Sequence, residues 1–295
     1  MKLCATSSVK AAPWLFLAPF LLIFGAFTAW PLARSLVLAC QQTFGPTNTV
    51  FVGLDNFRFL LTDPLFWTAL QNTFVYALSS VTLQLPLALG LALLLNRPSL
   101  RGRTLYRLIF FSPSLVGLVF AGIIFSIIFE KRTGLVNVGL HRLFPIFDLD
   151  FPWLQNYVMP ALILASLWMY VGFNMIYFLA ALQNVPRELE EAAMIDGANA
   201  WHRFRHIILP EIKPVTSFVV LLSLIGSFQL FELPWALLSG PGPENRGLTI
   251  VMYLYQTGFL TNDLGYASAI GWVLAVILFT LALTQQWFNR KETRS

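Results

Sequence analysis

Residues 151–185 read FPWLQNYVMPALILASLWMYVGFNMIYFLAALQNV and hold no Asp, Glu, Lys or Arg. An α-helix rises 1.5 Å per residue, so this run covers the roughly 30 Å of a bilayer's hydrocarbon with length to spare. Its apolar residues are continuous and lack the dyad alternation of a membrane barrel strand, which predicts a helix over about 157–182. Five more blocks of this kind flank it, at about 11–37, 67–95, 104–129, 215–238 and 265–288. Only Arg34, Arg107 and Glu232 interrupt their interiors. The fold class expected is therefore an all-α membrane protein, one domain over 1–295 with six transmembrane helices.

The composition agrees. Of 295 residues, 57% are hydrophobic and 11% charged, where soluble domains carry about 25% charged residues. The net charge of +5 would suggest nucleic acid in a soluble protein, but Lys and Arg also gather in cytoplasmic loops of membrane proteins. With the N-terminus inside, Lys2, Lys10, Arg97, Arg101, Arg103, Arg107, Arg187, Arg203, Arg205, Lys213, Arg290, Lys291 and Arg294 are cytoplasmic, 13 of the 19. Both termini are then expected in the cytoplasm, and no nucleic acid is implied. Cys4 and Cys40 flank the first span and cannot pair, and neither has a neighbouring His or Cys for a metal. Small residues at four-residue spacing, Ala88 with Ala92, Gly117 with Ala121, and Ala267, Gly271 and Ala275, mark expected helix contacts.

The longest cytoplasmic connection, 186–213, is the most informative. Pro186 can open a helix, Glu188, Glu190 and Glu191 suit its positive end, and Gly197 can break it. A second helix with a basic face follows, which Pro210 is expected to stop before the fifth span. Ala192, Ala193 and Ala198 would let another surface come close.

Glu191-Ala192-Ala193, Asp196-Gly197-Ala198 and Ile207-Ile208-Leu209-Pro210 closely resemble the EAA loop of the membrane subunits of binding-protein-dependent ABC importers. Val52-Gly53-Leu54-Asp55-Asn56-Phe57, Ser227 to Glu232 and Ser239-Gly240-Pro241-Gly242-Pro243 resemble segments of the carbohydrate branch, maltose-F-like, with Pro241 in place of a Gly. The resemblance covers about 13–290 and implies the type I importer permease fold in a bacterial or archaeal cytoplasmic membrane. It also implies a coupling role for Glu191, Ala192, Ala193, Asp196, Gly197, Ala198, Leu209 and Pro210, seated on a separate ATPase dimer. The implied partners are that dimer, a second homologous permease, an extracytoplasmic solute-binding protein and membrane lipid. No cofactor is expected in this chain, since ATP and Mg would be bound by the ATPase subunits.

For the solute, Glu232 stands out as an acidic residue inside a span, a functional position by default. Phe228, Glu232 and Trp235 fall at helical spacing with Gln229 beside them, and Tyr170, Asn174 and Tyr177 repeat that spacing on the fourth span. Carboxylate, amide and ring suit a sugar's hydroxyls and C–H face. Packing and interhelical hydrogen bonding are the alternative uses of the same residues. A sugar of di- or oligosaccharide size is the expected solute. Glycerol phosphate or another polyol-like solute is the alternative, but a phosphate wants Arg or Lys, and the spans' only two, Arg34 and Arg107, lie near their ends.

Enzymatic readings find little support. No lysine follows a Gly as a phosphate-binding Gly-Lys-Ser/Thr loop requires. His141, His202 and His206 lie in loops and read as surface, with no catalytic cluster around them. An ion-gradient-driven transporter, which would carry paired intramembrane charges, has only Glu232 in its favour.

Overall fold

The computed structural model of the chain describes residues 5–44, 48–97 and 99–292, with side chains described over 13–43, 49–97 and 99–287. Lys2, Cys4 and Arg294, used in the sequence reading, lie outside the described residues. Pro13–Ala39, Pro64–Leu95, Val158–Gln183 and Leu264–Trp287 are each long and apolar enough to cross a membrane. They fall where 11–37, 67–95, 157–182 and 265–288 were expected.

The other two expected spans are not straight. Arg103–Leu115 meets Leu118–Ile128 at 97° within one of them, while the 70° bend between Ala200–Glu211 and Lys213–Phe228 lies just before the other, where the preceding connection joins it. The bend within 104–129 follows from Pro113, which has no N–H to give, and from Val116 and Gly117, which are extended. The helix expected over 215–238 ends at Phe228 and restarts at Glu232.

Three other prolines are absorbed by π turns. Gly25–Ala29 precedes Pro31, Ser80–Gln84 precedes Pro86, and Phe204–Ile208 precedes Pro210. A helical proline crowds the carbonyl four residues back. Those carbonyls belong to Phe27, Thr82 and His206, the middle residue of each π turn, where the wider coil gives the ring room. Pro210 therefore does not stop its helix, contrary to the sequence expectation. The helix runs on to Glu211 and bends at Ile212.

The chain divides into two compact units. One holds Met1–Asp63 with Leu254–Val273. There the hairpin Gln41–Phe44 and Asn48–Phe51 pairs antiparallel, Gln41 opposite Phe51. Buried Asn56, at the start of the helix Asp55–Thr62, donates to the Ala39 and Gln41 carbonyls, 2.9 Å each, and so ties the hairpin to the end of the first span. Tyr266 donates its hydroxyl to Asp63 at 2.6 Å, a buried contact that fixes the start of the last span.

The second unit holds Pro64–Tyr253 with Leu274–Ser295. Ala88 and Ala92 are fully buried and join Phe178, Leu182 and Val185 in one apolar cluster, so the small residues do lie where the second and fourth spans meet. Of the other expected ladders, Ala121 and Ala267 are buried, but Gly117 sits at the exposed bend, Gly271 is half-buried and Ala275 is exposed. Asn137, also fully buried, donates to the Leu149 and Phe151 carbonyls and accepts from the Trp153 indole at 2.7 Å, which closes the third connection on itself. Outside the spans, the Arg132 guanidinium holds the Asp150 carboxyl below its ordinary range.

Gly172 marks a close approach of two helices in this unit. A Cβ there would run into the Phe110 carbonyl of the neighbouring Arg103–Phe111 segment. Gly172→Ala should cost about 1–3 kcal/mol through overpacking and lower the melting temperature of the detergent-purified chain. An unchanged melting temperature would show that these helices separate freely.

Candidate functional site

The 186–213 connection folds as helix, turn, helix. Arg187–Ile195 begins after extended Pro186 with Glu188 and Glu190 in its first turn, where the helix dipole favours negative charge. Gly197 has φ +81°, a left-handed conformation natural to glycine. Its N–H donates to the Met194 carbonyl at 3.1 Å, and that of Ala198 reaches the Ala193 carbonyl at 2.9 Å. These two bonds make a Schellman close, so the Ala-Ala and Asp-Gly-Ala parts of the motif build one rigid corner. Asn199 then caps the next helix by accepting from the His202 N–H at 2.9 Å.

The corner presents a charged and apolar face. Glu191, Asp196, Leu189 and Met194 are exposed, and Ile195 is 88% exposed. At the far end Leu209 and Pro210 are exposed too, but Ile212 beside them is 1% exposed. It is buried in the cluster of Leu85, Ala88 and Phe178, with Ile207 and Ile208 packed against it. Force applied at the corner thus has a packed route to the second, fourth and fifth spans.

The residues expected to touch solute are split between two places. Tyr170 and Asn174 line a cavity of about 110 Å³ with Tyr76, Ser80 and Gln84 of the second span and Ser223, Ser227 and Leu230 of the fifth. Ser80 and Ser223 share a hydroxyl hydrogen bond of 2.6 Å across it. No charged side chain lines this cavity. Glu232 and Trp235 instead line an open cleft of about 390 Å³ with Phe231, Val119 and Ile123. Phe231 and Trp235 stack there, with ring centroids 5.6 Å apart.

The single face expected for Phe228, Glu232 and Trp235 therefore does not form. The cause is Pro234, which cannot bond the Leu230 carbonyl four residues back. Thr249 takes that carbonyl with its hydroxyl at 2.6 Å, and the helix breaks between Phe228 and Glu232. Phe228 is buried and lines neither place, Gln229 is exposed at the break, and Glu232 is the exposed first residue of the new helix. Tyr177 also lies outside the cavity, its ring against Phe173 and Phe218.

Tyr76, Ser80 and Gln84 were missed from the sequence, although they stand at i, i+4 and i+8 along the second span. That polar stripe was the available signal. The position of Thr249 is fixed from the same span: Asn72 donates to the Asn245 and Leu248 carbonyls, and Thr73 accepts from the Ile250 N–H, all at 3.0 Å. Thr249→Val would leave the Leu230 carbonyl unbonded beside the cavity. It should cost about 1–3 kcal/mol, read as a lower melting temperature, while Thr249→Ser should behave as the parent.

Among the described residues no group of three or more His, Cys, Asp or Glu is placed to hold a metal. Residues 84–294 match the family described as binding-protein-dependent transport system inner membrane component. The chain belongs to this family. As such an inner membrane component, it is a multi-pass subunit of a binding-protein-dependent transport system, and its EAA segment is typical of the family. It is 42% identical to the arabinooligosaccharides transport system permease protein AraP of Bacillus subtilis (strain 168), over 94% of this chain and 88% of that protein. It is 36% identical to the lactose transport system permease protein LacF of Rhizobium radiobacter, over 95% of this chain and 94% of that protein. Its fold is that of a chain in a crystal structure of a bacterial alginate ABC transporter with an alginate pentasaccharide-bound periplasmic protein. The TM-score is 0.86 at 24% identity, over 99% of both chains. The permease fold of this inner membrane component is thus the type I importer fold.

Proposed function

We propose that this permease passes a sugar of di- or oligosaccharide size into the cell by alternating access, with ATP hydrolysed on a separate ATPase dimer. Its single domain spans the membrane six times, the bent pair Arg103–Leu115 and Leu118–Ile128 counting once and the fifth span beginning after the 186–213 loop, with both termini and that loop in the cytoplasm. The Glu191 corner seats on the ATPase, which binds the ATP and Mg. A second homologous permease completes the path, and an extracytoplasmic binding protein delivers the sugar.

The observation that carries this reading is the lining of the cavity. Phenols, hydroxyls and amides from Tyr76, Ser80, Gln84, Tyr170, Asn174, Ser223 and Ser227 supply donors and acceptors without a charge. That set suits a neutral polyhydroxylated solute and offers nothing cationic to a phosphate ester. The arabinooligosaccharide and lactose relatives favour the same class. The cavity's 110 Å³ is well below the roughly 300 Å³ at which small-ligand sites begin, so span movement or the second permease must enlarge it.

The test is reconstitution of the chain with its ATPase, second permease and binding protein in liposomes. ATP hydrolysis should rise with arabino-oligosaccharide- or lactose-loaded binding protein, and sugar should accumulate inside. Uptake driven by an ion gradient in liposomes lacking the ATPase would overturn the reading.

A further inference from the structure

We propose that His202 and His206 form a two-histidine clip for a divalent transition-metal ion, such as Zn²⁺, Co²⁺ or Ni²⁺, on the helix after the Gly197 corner. The two residues are four apart, exposed, and stacked with ring centroids 5.5 Å apart at 20°. Their tautomers follow from their partners. The Nδ1 of His206 lies 3.1 Å from the His202 carbonyl oxygen, which can only accept, so this nitrogen carries the proton. The Nδ1 of His202 lies 3.2 Å from Asn199 Oδ1. That oxygen already accepts the His202 backbone N–H, which fixes it as the amide's oxygen, so this Nδ1 is a donor as well.

With Nδ1 as the donor, each ring in its neutral form holds Nε2 as a lone pair. This is the metal-ligating form, with Nδ1–H held by an outer partner as in established sites. Imidazole ligands suit the transition ions named and not Mg²⁺ or Ca²⁺. With metal–nitrogen bonds of about 2.0–2.1 Å, two rings on one ion bring their centroids to about 4.5–5 Å. To reach it the rings must close from 5.5 Å and also turn out of their nearly parallel stack, so that both in-plane lone pairs meet the ion, and water fills the remaining positions.

The clip spans the join between the helix Ala200–Arg203 and the π turn Phe204–Ile208. A bound ion would fasten these two pieces to each other, stiffening the segment that leads from the exposed corner to buried Ile212. The inference stands independently of the solute and of the ATPase.

The test uses the full-length chain, purified in detergent through a tag without histidine, and titrates it with Co²⁺ or Zn²⁺ in competition with a chromophoric chelator. Loss of an outer partner alone costs metal sites about 10–100-fold in affinity, so His202→Gln or His206→Gln should weaken binding at least that much. His141→Gln should leave it unchanged, and circular dichroism should show every variant as helical as the parent. Equal binding by the parent and the double variant His202→Gln with His206→Gln overturns the proposal. So does a parent that binds neither ion at millimolar concentration.

Discussion

Gly197→Asp is expected to abolish transport while leaving an inserted, folded permease. At φ +81° a side chain costs about 1–2 kcal/mol, less for Asp than for most residues. A carboxylate just past a helix C-terminus opposes the dipole by a further 0.3–1 kcal/mol or so. No Cβ clash adds to this, since nothing lies within 4 Å of the added atom. The total is too small to unfold a six-span protein. It is large enough to open the corner closed by the Gly197 and Ala198 N–H bonds, which sets the direction in which Glu191 points. Membrane yield and melting temperature should therefore stay close to the parent, while sugar-stimulated ATP hydrolysis in the reconstituted complex falls to the basal rate. Gly197→Ala should lie between, and Glu191→Lys should match Gly197→Asp by reversing the exposed charge rather than the bend. Normal uptake by both Gly197→Asp and Glu191→Lys would remove the coupling role from this loop.

How legible each part was depends on how local its cause is. The straight spans and the helix–break–helix of the loop are set by composition over one or two turns, and they lay where the uncharged runs and Gly197 placed them. The breaks are different. Pro234 and Pro210 look alike in the sequence, two prolines after apolar residues. Pro210 is absorbed by a π turn within its own helix, whereas Pro234 breaks its helix because Thr249, on another segment, takes the carbonyl it leaves free. No local pattern tells these outcomes apart. Glu232 drew attention as a lone charge in an assumed continuous helix, and the break turned it into the exposed first residue of a short one. The Tyr76, Ser80 and Gln84 stripe was in plain view, but only the approach of the fourth and fifth spans shows that it faces other polar groups rather than lipid.

The two places holding the expected solute residues make opposite demands on mutagenesis. If the sugar binds in the uncharged cavity, Gln84→Leu and Asn174→Leu each remove amide donors and acceptors from buried positions without adding charge. One lost hydrogen bond of about 1–1.5 kcal/mol raises the half-saturating sugar concentration about tenfold. The double variant should do more than either alone, because both amides line one space and a single sugar would engage both. Basal ATP hydrolysis should hold, since neither residue belongs to the coupling corner. Glu232→Gln and Trp235→Ala, in the open cleft, should then change affinity by less than about threefold, a shift under 1 kcal/mol. The reverse result, a tenfold loss from the cleft variants with the cavity variants unchanged, would move the sugar to Phe231, Glu232 and Trp235. It would also make the break before Glu232 the element that aims a carboxylate and two stacked rings at the solute. If all four variants bound sugar as the parent does, the contacts would have to come from the second permease.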